Sequence, residues 1–527
     1  MKTQLLSIVC CALVACLSTA CGAVSGGALK DTLRINLGTE PPSLDWHATT
    51  DNVSFDVVSN LMVGLTQYTP DVKCIPSLAE KWDVEDGGTR YVFHINPAAK
   101  WSDGKPVVAS DFEYAWKRLL NPVTAAEYAY FLFDIVNAQE YNSGKVKDPS
   151  QVGIRSVDDR TLEVKLKHPA AYFIYLTAFS CAFPMRKDLI EKYGDRWTEP
   201  GNMVSCGPFL LKSWQHEYKM ELEANPLYVG GEPKLKHIRA FMIPEQSTAF
   251  ALYETDELDY IDNRSFSTAD VDRYRQSPQY HNFPLLRNFY LAFNVLKKPF
   301  DDPRVRLAVA YAIDRDVFPK IMRRGEKPLY TWIPPQLAGY SKDSAVSLDR
   351  EKAKKLLADA GYPNGKGMPD IDFLYPNRED IRTRVEAVQD QLKTSLGVPV
   401  NLVSKEWKVY LTTVRNDPPS IAMANWGADY PDPETFGNLF TSDNGNNHTR
   451  WKNAAYDALI TAAEAEQDPA KRAKLYEKSD TMLCKEQAPI TPLFASTQNL
   501  MIKPWVHGIA MNPLDLQFFK DVSIDAH

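Results

Sequence analysis

Asn425-Trp-Gly-Ala-Asp-Tyr-Pro-Asp-Pro433 follows the apolar run Ile421-Ala-Met-Ala424 and ends it with an aromatic, a glycine and a carboxylate. The apolar run reads as a strand on its way into a core, and Pro431 and Pro433 mark a turn just beyond it. Asp429 thus stands where a strand is becoming buried. A buried aspartate with no partner is costly, so either Asp429 is a turn residue in water or a cation meets it. On paper Asp429, Asp432 and Glu434 also make a calcium set.

Composition frames that question. The chain has 527 residues, 44% of them apolar and 24% charged, which suits a globular protein of two or three domains with sizeable cores. Its net charge of -7 comes from 60 basic against 67 acidic residues without a block of like charge, which argues against nucleic acid as a partner. The 11 Trp and 25 Tyr serve equally as core material or as a recognition surface.

The N-terminus reads as an export signal: one lysine in Met1-Lys-Thr-Gln, then an apolar run from Leu5 to Ala15 that is too short to span a bilayer. Leu13-Val-Ala-Cys16 and Ser18-Thr-Ala-Cys21 both resemble the processing site of bacterial lipoproteins. Cys16 has the leucine and Cys21 directly precedes the Gly/Ser/Ala tether of residues 21–30, so the signal is 1–20 or 1–15 and the lipid-bearing cysteine is Cys21 or Cys16. Four further cysteines, Cys74, Cys181, Cys206 and Cys484, match no zinc spacing. An exported chain permits disulfides, and Cys181 with Cys206 is the pair nearest in sequence; four buried thiols are the alternative.

Along the chain, Thr32–Leu37, Tyr91–Asn96 and Thr161–Leu166 alternate like half-buried strands. Asp349 to Gly361 reads as a surface helix with a capping aspartate and a terminal glycine, and Pro303 to Phe318 has a similar pattern with proline in its first turn. Helices alternating with strands in the last third indicate an α/β fold. No nucleophile elbow, phosphate loop or His-Glu-x-x-His occurs, and the nine histidines are scattered, so the reading is a non-enzyme without cofactor or metal.

Five segments carry a resemblance: Lys100-Trp-Ser-Asp-Gly-Lys-Pro, Val204-Ser-Cys-Gly-Pro-Phe, Pro299-Phe-Asp-Asp-Pro-Arg-Val-Arg, the Asp349–Gly361 helix and Asn425–Pro433. Their order resembles the oligopeptide-binding proteins of ABC importers, bacterial extracellular solute-binding family five. The resemblance implies a two-lobed α/β clamp of the type II periplasmic-binding-protein class with an extra subdomain on its first lobe. Lobe I would be 31–62, 187–286 and 498–527, the extra subdomain 63–186, and lobe II 287–497. It implies a monomer that closes on a short peptide and hands it to the importer's transmembrane subunits, held to the membrane by its lipid in the periplasm or on the outer cell surface.

By the same resemblance Asp429 would receive the peptide's α-ammonium, Asn425 and Gly427 would pair with its main chain, and Trp426, Trp407 and Tyr128 would line side-chain pockets. Departures concern the other end of the ligand. An arginine of some peptide-binding members is replaced by Met423, Arg415 fits another only after a one-residue shift, and an acidic position falls at Thr50 beside Asp51. Arg382 could serve the distal end, so peptides long enough to reach Arg415 or Arg382 are expected to bind best. The alternatives are a receptor for a non-peptide solute such as haem, a metal chelate or a sugar, and a secreted hydrolase.

Overall fold

The computed structural model describes residues 31–527 apart from Ala171 and Phe266. The signal run, Cys16, Cys21 and the tether lie outside the described residues. None of the described helices is long and apolar enough to cross a membrane.

Two long strands, Tyr280–Phe293 and Ile490–Ile502, pair antiparallel and tie the molecule together. On one side of them the sheet continues through Tyr260–Ile261, Thr32–Asn36, His237–Phe241, Lys219–Ala224 and Phe209–Gln215, the strands of the first lobe. On the other side it continues through Ile421–Gly427, Asp372–Pro376 and Asn401–Lys405, the strands of the second. The register of the long pair slips between Pro284 and Asn288, opposite Thr497 and Ala495. Such an irregularity of the ladder bends a strand locally. The second lobe packs its own core, with Phe293, Val305, Phe373, Val388 and Phe494 buried together. A separate four-stranded antiparallel sheet, Ala79–Glu85, Arg90–Ile95, Thr161–Lys165 and Ile154–Asp158, lies within the stretch expected to be the extra subdomain.

Three expectations change. Thr32–Asn36 does not alternate, because parallel neighbours flank it on both edges and it is buried throughout. Its Arg34 survives inside only by a fork to Asp259, at 2.8 Å and 2.5 Å. The run from Pro303 is two helices, Pro303–Ala312 and Val317–Met322, separated at Ile313-Asp-Arg-Asp316. Cys181 and Cys206 are free thiols, as are Cys74 and Cys484, so the expected pair is corrected. Cys206 Sγ lies 3.9 Å from the carbonyl of Val63, and Cys181 sits in the Ser180–Ala182 turn. The surface helix forms as expected over Arg350–Asp359, with the Asp349 carboxylate accepting from the Lys352 N–H at 2.9 Å.

Candidate functional site

The strand Ile421–Gly427 pairs along its whole length with Arg287–Phe293, but its opposite edge meets Asp372–Pro376 only at Ile421 and Ala422. The Tyr410 hydroxyl donates to the Met423 carbonyl at 2.7 Å. From Ala424 to Gly427 that edge has no strand partner among the described residues, which is the geometry that accepts an added strand. A side chain at Gly427 would crowd Arg287, since a Cβ there comes within 3.2 Å of its Nε.

Just past the open edge, Asp429 is 6% exposed. The Tyr128 hydroxyl donates to its Oδ1 at 3.1 Å, and Thr435 accepts the Asp429 N–H at 3.1 Å while its own hydroxyl points to Oδ2 at 3.5 Å. The Tyr68 hydroxyl donates to the Asp429 carbonyl at 3.2 Å. Every one of these donors is neutral, and no basic side chain among the described residues pairs with the carboxylate. Burial therefore wins over the hydrogen bonds and pushes the Asp429 carboxyl up to about 8. The solvated-turn alternative is excluded by this burial, and the calcium set by Asp432, whose two oxygens take the Arg472 fork at 2.8 Å each.

Aromatic walls surround the carboxylate. Trp426 is buried with its indole N–H donating to the Thr435 carbonyl at 2.9 Å, and its ring stacks on Tyr128 with centroids 6.3 Å apart. Tyr128 comes from Glu127–Leu132 in the extra subdomain, so this stack spans the cleft between lobes. A second bridge joins Trp407, half-buried and stacked on Tyr410, to Asp51 through an indole N–H at 3.4 Å. Asp51, which also caps the helix Asn52–Leu61, makes this contact; Thr50 beside it is half-buried.

The cations expected at the far end are already engaged. Arg415 forms an ion pair with Glu127, a buried glutamate of the extra subdomain, and His448 stands 3.5 Å from the other oxygen. Burial, then Arg450 and Arg415, hold His448 down at about 3, so it is neutral at physiological pH. Arg382 lies on the outer face of its helix, 67% exposed and paired with Glu386 at 2.8 Å. Met423 packs into the core of the second lobe. Sequence reasoning missed Thr435, Tyr68 and Glu127; Thr435 alone left a trace, standing just after Pro433 where a helix turn brings it back on Asp429.

Comparison with known proteins agrees with this architecture. The profile of bacterial extracellular solute-binding proteins, family 5 middle region, matches residues 73–448. The periplasmic oligopeptide-binding protein OppA of Salmonella typhimurium is 35% identical over 516 residues, covering 94% of this chain and 93% of that protein. The structure of the murein tripeptide binding protein MppA of Escherichia coli superposes with a TM-score of 0.90 at 32% identity, covering 95% of this chain and 99% of that one. An unliganded open form of MppA, covering 95% and 98% at 32% identity, gives only 0.64. The chain belongs to solute-binding protein family 5, and it is an extracytoplasmic receptor of the class that serves ABC importers. Its lobes are arranged differently from those of that open form, and here the Tyr128 hydroxyl and the Asp429 carboxylate are in contact across the cleft.

Proposed function

We propose that this protein captures short peptides between its lobes and delivers them to an ABC permease. The observation that carries the reading is Asp429, a buried carboxylate that among the described residues lacks a cation, at the end of a strand edge that among them lacks a partner. An extended peptide supplies both missing parts, a main chain for the edge and an α-ammonium for the carboxylate. The likeness to proteins named for oligopeptides and a murein tripeptide supports it. A haem, sugar or chelate offers no ammonium at that distance from a paired backbone, and the likeness to binding proteins favours capture over hydrolysis. In this reading Asn425, Trp426 and Gly427 hold the ligand's first residues, while Tyr128, Trp407 and Asp51 close over it.

The C-terminal carboxylate is treated differently. Arg415 is held by Glu127, so a ligand carboxylate must compete for it, and its 41% exposure further weakens any gain. C-terminal amidation of a tri- to pentapeptide is therefore expected to change Kd by less than about tenfold in calorimetric titration. A larger loss would return Arg415 to the role of carboxylate anchor. Binding of haem or a chelate in preference to every peptide tested would overturn the peptide reading itself.

The lobes are proposed to divide at 286/287 and 497/498, beside the register slip, with 63–186 as the extra subdomain. The protein is proposed to act as a monomer anchored through lipid on Cys16 or Cys21, on the periplasmic or outer surface. The double variant Cys16→Ser, Cys21→Ser should then appear in the soluble fraction. Retention of that variant on membranes would refute the anchor.

A further inference from the structure

Tyr430 and Glu434, which follow Asp429 in the chain, also line a second cavity of about 200 Å3. Its remaining walls include Asp134, His168 and Tyr172 of the extra subdomain and Glu464 on the helix Ala454–Ala465 of the second lobe. Asp134, His168 and Glu464 each bring one potential metal-ligand atom, and the three atoms lie within 4.8 Å of one another. His168 Nε2 and Asp134 Oδ1 are already 3.2 Å apart. Two ligands of a tetrahedral zinc ion at about 2.0–2.1 Å stand about 3.3 Å apart, so this pair has the edge length of a coordination tetrahedron.

Supports for the ligands are in place. The other Asp134 oxygen accepts from the Tyr172 hydroxyl at 2.7 Å, and His168 Nδ1 lies 3.4 Å from the Pro169 carbonyl, leaving Nε2 to face the cavity. Glu464, by contrast, has no hydrogen bond or ion pair with any described residue. It faces the carboxylates of Asp134 and Glu434, while Lys167 pairs with Glu140 at 3.5 Å and Arg472 with Asp432. Among the described residues Glu434 accepts only from the neutral Tyr430 and Asn438. Asp134, Glu434 and Glu464 thus face one another in a cavity whose basic lining residues are His168 and Lys167, and with Lys167 drawn to Glu140 a divalent cation is a group that would satisfy them.

We propose that Asp134, His168 and Glu464 bind one Zn2+ with water completing the sphere, and that the ion ties the extra subdomain to the second lobe. The position favours such a tie, because the same seam is crossed by Gln467 donating to the Pro169 carbonyl at 3.2 Å and by Gln139 donating to Asp443 at 3.0 Å. One imidazole among oxygen donors selects zinc over calcium or magnesium. The site is separate from Asp429 and stands whether or not the solute is a peptide.

The test is calorimetric titration of the metal-stripped full chain with ZnCl2. One ion per chain at micromolar affinity or better is expected, with His168→Gln and Glu464→Gln each weakening it at least tenfold. Unaltered affinity in the double variant His168→Gln, Glu464→Gln, or no stoichiometric binding by the wild type, overturns the site. X-ray absorption of the zinc-loaded wild type needs no variant to fold: a single imidazole among oxygen donors supports the assignment, and sulfur or several imidazoles defeat it. Small-angle scattering without peptide reads the tie. Zinc should compact the wild type and not Glu464→Gln, and stoichiometric binding without compaction would overturn the tie.

Discussion

Asp429→Asn is expected to weaken binding of a peptide with a free N-terminus by a factor on the order of a hundred or more. The substitution keeps the shape of the side chain and the donors Tyr128 and Thr435, and removes only the charge. Leaving one member of a buried ion pair without the other costs about 3–5 kcal/mol, and each tenfold in Kd is about 1.4 kcal/mol. The sharper measurement is a cycle with N-acetylated peptide. Acetylation should cost the wild type about as much as the substitution does, and should cost the Asn variant little, since both changes delete the same pair and cannot add. Equal affinity of the wild type for free and acetylated peptide would remove Asp429 from the site, and the peptide reading with it.

The fold was legible wherever a local rule had one answer. The capping aspartate and terminal glycine bracketed the helix Arg350–Asp359 because caps act over a few residues. Thr32–Asn36 misled because its burial on both faces depends on strands more than 200 residues away, and the Asp259 partner that allows Arg34 inside is equally remote. The aspartate at the end of Ile421–Gly427 announced a problem from sequence alone, but the answer lay in Tyr128 and Tyr68, which reach it across the cleft. Arg415 shows the opposite failure. Its charge was visible, whereas Glu127, the buried acid that claims it, looked like any surface glutamate beside an aromatic. The cysteine pairing failed for the same reason, since proximity in sequence says nothing about where a long excursion returns.

Unliganded wild type is expected to rest open at pH 7, and both acidification and Asp429→Asn are expected to close it. In the closed form the Asp429 carboxyl sits at about 8; opening withdraws Tyr128 and Tyr68 and admits water, which returns it toward 3.8. A group whose value is raised on closing opposes closure when ionised: the penalty is absent below about 3.8, grows as pH rises, and is complete above about 8. At pH 7 the span of three units or so amounts to about 4 kcal/mol against empty closure, at about 1.4 kcal/mol per unit. Glu434, pushed up to about 8 by burial and then by Asp134, adds in the same direction. The remaining groups facing Asp429, namely Tyr128, Tyr130, Tyr68 and Cys181, stay neutral throughout this range. Small-angle scattering of the ligand-free protein from pH 8 to pH 6.5, above the range in which protonation of His448 in the same seam would oppose closure, should therefore show a shift from open toward closed, and Asp429→Asn should be more closed than wild type at pH 7. An Asn variant as open as the wild type would mean that the carboxylate does not hold the lobes apart. An α-ammonium lifts the penalty without a proton, so a free peptide closes the cleft at neutral pH with no proton uptake at Asp429. An acetylated peptide can close it only if the carboxyl takes up a proton, which calorimetry in buffers of different ionisation enthalpy would register.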